Sequence, residues 1–165
     1  MYLEAVMIMA KDNKTNAMRK LDSMKIYYNE HYYDPETVNG VEVANVLHQD
    51  VEKVFKTLVT VGKSGAHYVF AVPVAEELDL KKAAAVVGEK SVAMVKSKEL
   101  LGLTGYIHGG CSPIGMKKFF RTTLHITAKN FDRIFFSGGK VGFQIEMSSE
   151  DLKKVIPFEY ADIIK

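Results

Sequence analysis

The chain has one cysteine, no tryptophan and four prolines among its 165 residues. A single cysteine excludes an internal disulfide and any zinc site built on several thiolates, which points to a reducing compartment, with the cytoplasm as the simplest assignment. Neither sign of charge dominates. Twenty-two Lys and Arg stand against 20 Asp and Glu, a formal +2, a balance that does not by itself mark a nucleic-acid binder but leaves room for a basic face. No apolar run approaches the roughly twenty residues that a membrane-spanning helix needs. The short run from Val6 to Ala10 follows Glu4, where a secretory leader would carry positive charge. Residues 1–13 therefore read as an N-terminal extension or first strand, and membrane partners are not expected. The five histidines, His31, His48, His67, His108 and His125, form no HExxH or other tight ligand spacing, so no metal and no other cofactor is expected.

What is present is the make-up of one ordinary globular domain, 47% hydrophobic and long enough to close a core. Thr15 suits the cap of a first helix with Ala17, Leu21 and Met24 on its apolar stripe. Tyr27 to Tyr33 reads as extended, Asp34-Pro35 as a turn, and Val43, Val46 and Leu47 as one face of a second helix. Asp50 suits the cap of a further turn. Val54–Val61 and His67–Val74, joined through Gly62-Lys63-Ser64-Gly65, predict a β-hairpin. Asp79 and Gly88 bracket a helix over 80–87, and Ser91–Val95 reads as a strand. Ser97 begins another helical turn, broken by Gly102, Thr104 and Gly105. Strands follow over 121–127, 133–137 and 141–147, the last two joined by a Gly138-Gly139-Lys140 turn, and a helix capped by Ser148 or Ser149 runs to Ile156. This order lacks regular βαβ alternation, so it predicts an α+β domain with a mixed or antiparallel sheet flanked by helices rather than a Rossmann sheet.

Chemistry concentrates in GYIHGGCSPIGMKK, residues 105–118. Gly109-Gly110 has no Walker A or GxGxxG spacing. Without Cβ atoms, such a pair either makes a plain turn or lets successive N–H groups approach a carbonyl oxygen or oxyanion. Cys111 lies three residues from His108, a spacing that decides nothing about catalysis, and a lone cysteine is most often a small buried apolar residue. Lys117-Lys118, Lys81-Lys82 and Lys153-Lys154 read first as solvated surface. Lys56 is different: it sits inside VFKTLV, where Phe55 and Leu58 are assigned to one side and Lys56 to the other, beside Thr60. A lysine in mid-strand calls for an anionic or carbonyl partner, or snorkels to solvent.

VFKTLV at 54–59, AVPVAEELDLKKAA at 71–84, TGYIHGGCSPIGMKK at 104–118, FFSGGKVGFQIEM at 135–147 and FEYADI at 158–163 together resemble the bacterial YbaK/EbsC proteins. These are the Cys-tRNA(Pro) deacylases, related to the editing domain inserted in many bacterial prolyl-tRNA synthetases. The resemblance covers roughly residues 14–164 and implies a deacylase domain over 14–165 with a partly barrel-like central sheet. It implies hydrolytic clearance of cysteine from Cys-tRNA(Pro), and of Cys-tRNA(Cys), with the substrate's own thiol as nucleophile, and prolyl-tRNA synthetase as a partner. Its functional positions fall on Lys56, Gly109 and Gly110 for catalysis and on Thr57, Ser112 and Pro113 for substrate binding. Three pocket positions depart from the family pattern: His31, with Tyr32 adjacent, stands near a tyrosine position, Asn39 at a common aromatic one, and Gln144 at an aspartate. The rival readings are an Ala-tRNA(Pro) deacylase using water, a non-catalytic tRNA-binding module, and a Cys111 thiol hydrolase.

Overall fold

Near the start of the described residues Thr15 acts as a cap: its hydroxyl accepts from Met18 N–H at 3.1 Å and donates to the carbonyl of Gly138. A computed structural model describes residues 14–165, and the reading of residues 1–13 lies outside them. The first helix, α1 (Asn16–Ser23), buries Ala17, Met18 and Leu21 completely. Met24, expected on that stripe, is 39% exposed, because the helix stops one residue before it. A strand, β1 (Asn29–Tyr32), leads through the Asp34 turn into α2 (Gly40–Val46), whose buried residues are Val43 and Ala44. Val46 is exposed, contrary to the periodicity. Asp50 caps a single 3-10 turn, Val51–Lys53.

The predicted hairpin forms in full. β2 (Phe55–Gly62) pairs antiparallel with β3 (His67–Pro73), from Phe55 opposite Pro73 to Val61 opposite His67. Asp79 accepts from the N–H groups of Lys81 and Lys82 at the start of α3 (Leu80–Val87), and β4 (Val92–Met94) returns to β2. The next helix, α4 (Ser97–Thr104), is longer than the single turn expected: Gly102 is tolerated inside it, and only Gly105 ends it. β5 (Arg121–His125) gives way to a 3-10 stretch, Ile126–Asn130, two residues earlier than predicted. β6 (Ile134–Lys140) runs through Gly138-Gly139-Lys140 as an irregular strand with a register shift between Ser137 and Lys140. The turn expected there falls instead at Val141-Gly142, before β7 (Phe143–Met147). Ser148 caps α5 (Ser149–Val155), and β8 (Glu159–Ala161) closes the chain.

The strands make two sheets, β1-β7-β6 and β4-β2-β3-β5-β8. β5 runs parallel to both β3 and β8, so the second sheet is mixed, as the α+β reading requires. A parallel bridge between Val54 and Phe135 joins the sheets into a partial barrel that does not close. Inside it Phe55, Ala71, Phe136, Phe143, Ile145 and Met147 pack with α1. A second cluster, with Phe70, Val72, Ala83, Ala84 and Val87, joins α3 to the other face of the five-stranded sheet. Leu58 packs there, away from Phe55, because residues three apart on a pleated strand point to opposite faces.

Candidate active site

β2 holds both lysine-threonine neighbours of the motif, and its outer edge is only partly used. It meets β6 at the Val54–Phe135 bridge and β4 from Thr60 onward, with Val59 O accepting from Val95 N–H at 3.1 Å. From Lys56 to Leu58 that edge pairs with no other strand among the described residues. It leaves a seam between the two sheets. Strand alternation turns Lys56 to one face of β2 and Thr57 to the other.

Lys56 is half-buried, its Nζ lies 3.5 Å from Val74 O, and it forms no ion pair among the described residues. That distance is beyond ordinary hydrogen-bond length, so the ammonium retains capacity for an anion. The Thr57 hydroxyl is buried and finds no hydrogen-bond partner among the described residues. An unsatisfied buried hydroxyl costs about 1–3 kcal/mol, a cost that a bound polar group removes.

The glycine pair has two separate physical causes. Gly110 N–H donates to Ile107 O at 2.9 Å, closing a β-turn in which Gly109, third of the four, has φ +85°. That is the type II geometry, which favours glycine at this position. Gly110 is required by contact: a Cβ there would lie 2.9 Å from Val141 N and 3.2 Å from Lys140 Cα, at the tip of the β6–β7 hairpin. Beyond the pair the chain dips inward. Cys111 and Ser112 are buried, and neither N–H makes a hydrogen bond among the described residues. The Ser112 hydroxyl accepts from Ile114 N–H at 3.2 Å, and Pro113 is buried beside it.

Cys111 itself packs against Val59, Val69, Leu100, Tyr106 and Phe120, and burial pushes its thiol up to about 12. At neutral pH it is protonated and enclosed, which removes it as a nucleophile. Cys111→Ser is expected to leave kcat/KM within about twofold and to lower stability by about 1 kcal/mol, since the change places a hydroxyl in an apolar setting. Steady-state turnover beside a denaturant melt checks both.

The remaining predicted positions divide between two faces. Gln144 lies opposite both His31 on β1 and Ser137 on β6. Ser137 follows Phe135 by two residues, as Lys56 follows Val54, so the registers set Lys56, Ser137, Gln144 and His31 on one face. Gln144 is 3% exposed, and its amide exchanges two hydrogen bonds with Gln49, at 2.7 and 3.0 Å. Gln49 was not anticipated from the sequence, where nothing connects it to a residue 95 positions away. His31 Nε2 is 2.8 Å from Glu146 Oε1, and Arg133 Nε donates to Glu146 Oε2 at 3.0 Å. Burial of Glu146 opposes its charge, but the hydrogen bonds from His31 and Arg133 prevail and hold the carboxyl below the usual glutamate range. Tyr32 points the other way: it packs edge-on against Phe143 and donates to Glu30. Asn39 is the cap of α2, its side chain accepting from Glu42 N–H at 3.0 Å.

From residue 34 to residue 155 the chain matches the aminoacyl-tRNA editing domain family. It belongs to that family. The editing domain is 42% identical over 152 residues to Enterococcus faecalis EbsC, which carries the name of a Cys-tRNA(Pro)/Cys-tRNA(Cys) deacylase; the match covers 91% of this chain and 93% of EbsC. It is also 33% identical over 90 residues to a proline–tRNA ligase of Thermosipho africanus, covering 54% of this chain and 16% of the ligase. A solved structure described as a trans-editing enzyme for prolyl-tRNA synthetase has the same fold, with a TM-score of 0.82 at 23% identity over 91% of this chain and 95% of its own. Among the described residues of the editing domain, no group of three or more His, Cys, Asp or Glu side chains is placed to hold a metal ion. No described helix is long and apolar enough to cross a membrane.

Proposed function

We propose that this protein is a trans-editing aminoacyl-tRNA deacylase that releases cysteine from mischarged Cys-tRNA(Pro), with Cys-tRNA(Cys) as a second substrate. The observation that carries the reading is chemical. Among the described residues the seam offers Lys56 without an ion pair, the loop offers N–H groups without partners, and the thiol of Cys111 is enclosed and protonated, so no thiolate of the protein is on offer. A cysteinyl ester brings its own. A thiol with pKa about 8.5 is a few per cent thiolate at neutral pH, and intramolecular attack reaches effective molarities on the order of 10⁵ M or more.

In this scheme the substrate thiolate attacks its own ester carbonyl carbon. The carbon–oxygen bond to the ribose then breaks, the ribose oxygen takes up a proton, and the amino acid departs as a cyclic thiolactone that water later opens. Lys56 grips phosphate or sugar oxygens of the terminal adenosine and holds the ester still. Gly110 has its own N–H committed to Ile107, so its part is steric: the missing Cβ seats the loop on the hairpin tip and aims the N–H groups of Cys111 and Ser112 at the developing oxyanion, with the exposed N–H of Gly109 beside them. Thr57 offers its unpartnered hydroxyl one residue from Lys56. Pro113 stiffens the loop, Gln144 and His31 form the wall that meets the amino-acid side chain, and Tyr32 and Asn39 support that wall from behind and from the α2 cap. So small a domain has little surface for reading tRNA identity. RNA binding is therefore weak and salt-sensitive, with specificity lent by prolyl-tRNA synthetase in the cytoplasm.

A panel of charged tRNAs tests this. Cysteine release is expected to exceed release of serine, its oxygen counterpart, by at least about a hundredfold, since a hydroxyl ionises far less readily than a thiol. Efficient release of alanine without cysteine would replace the scheme with water-dependent Ala-tRNA(Pro) hydrolysis. Retained RNA binding with no release of any amino acid would leave a non-catalytic module.

A further inference from the structure

On the far side of the Val54–Phe135 bridge from the seam lies a cleft of about 340 Å³, lined by Lys53, Asn130, Phe131, Asp132, Arg133, Phe135 and Glu146. None of its lining belongs to the positions discussed above as catalytic. We infer that this cleft receives the nucleotide preceding the aminoacylated adenosine of the tRNA 3′ end, its base against the rings of Phe131 and Phe135 and its phosphate against Lys53. The inference rests on the deacylase reading and extends it by one nucleotide.

The first support is position. Phe135 stands beside Val54, two residues from Lys56 on β2, a step of roughly 7 Å along a strand. The two subsites are therefore consecutive along one strand. Phe135 also touches His31, ring centroids 5.6 Å apart, which links the cleft to the face holding Gln144. The second support is charge. Glu146 is satisfied on both oxygens by His31 and Arg133, and Arg133 is further held by Asn29 at 2.8 Å, so that pair is internally neutralised. Lys53 is not: its Nζ lies 5.6 Å from the Phe131 ring centroid and forms no ion pair among the described residues. The cleft thus presents an unpaired cation, Lys53, above half-buried aromatic rings, with one unpaired carboxylate, Asp132, at its rim; the cation and the rings are the combination that holds a single-stranded nucleotide by backbone charge and base stacking. Asp132 and Asn130 are exposed at its rim and make no side-chain hydrogen bond among the described residues. A carboxylate there accepts from an exocyclic amino group, as on cytosine, and repels a second phosphate.

The test compares adenosine 5′-monophosphate with 5′-phosphocytidylyl-(3′→5′)-adenosine, which carries the preceding nucleotide's own phosphate, by calorimetry and by NMR of the phenylalanine ring signals. The dinucleotide is expected to bind on the order of tenfold tighter, the gain one stacked base provides. Phe131→Leu, which keeps apolar volume where the ring touches the core, is expected to remove most of that gain. Lys53→Gln is expected to lower both the gain and its salt dependence. Equal affinity for the two ligands, or a gain that survives both substitutions, overturns the inference. The binding readout does not depend on turnover. Cysteine release without a dinucleotide gain defeats the cleft assignment alone, whereas a dinucleotide gain without cysteine release defeats the deacylase reading alone.

Discussion

Lys56→Ala is expected to lower kcat/KM for cysteinyl-tRNA by about 10²- to 10³-fold, because in the proposed scheme the lysine holds the ester in place and a misplacement of about 1 Å is enough to cost a hundredfold. Stability should change by no more than about 1 kcal/mol, since the ammonium has no ion pair to lose among the described residues and reaches only a 3.5 Å carbonyl. The loss should divide between KM and kcat, reflecting both grip and alignment. Lys56→Arg keeps the charge on a wider, planar head and should recover only part of the rate. Single-turnover release from charged tRNA, measured beside a thermal melt, decides the matter, and parent-like turnover in the alanine variant would remove Lys56 from the site.

Gly110→Ala should be nearly as damaging, for a reason that involves no lost functional group. The new Cβ meets Val141 N at 2.9 Å and Lys140 Cα at 3.2 Å, both backbone, so the loop or the hairpin tip must move. A fall in kcat/KM of about 10²-fold is expected, together with a stability loss of about 1–3 kcal/mol from overpacking. Gly102→Ala is the matched control: the position is helical with nothing within 4 Å of an added Cβ, and the change should stabilise by about 0.5–1 kcal/mol without touching the rate. Denaturant melts and turnover on the three proteins separate the two effects, and an active, stable Gly110→Ala would show that the close approach is not needed for catalysis.

Local signals in the sequence are legible because the interactions behind them are local. Thr15, Asp50, Asp79 and Ser148 each cap the element assigned to them, since a side-chain oxygen two or three residues from an orphan N–H needs no tertiary context. The β2–β3 hairpin was equally plain from its turn and apolar runs. Gly102 does not break its helix as expected, because one glycine costs a helix only about 1 kcal/mol and packing of Leu100 outweighs it. Gly138-Gly139-Lys140 makes no turn, because the strand absorbs the glycines as an irregularity instead. The parallel pairings of β5 with β3 and β8 carry no local mark, so the partition into two sheets became visible only in space. At the site, Lys56 and the glycine pair stood out by composition. What stayed hidden was sidedness: Tyr32 and His31 are neighbours in sequence and lie on opposite faces, Asn39 caps a helix, and the wall's partner Gln49 sits far away in the chain.

The reciprocal amide pair of Gln49 and Gln144 has a kinetic corollary. Neither member ionises, and the sole thiol of the chain stays protonated well past neutrality. Neither can account for a rate of cysteine release that climbs with alkalinity; in the proposed scheme that climb belongs to the thiol of the cargo and shifts with the thiol of whichever analogue is supplied.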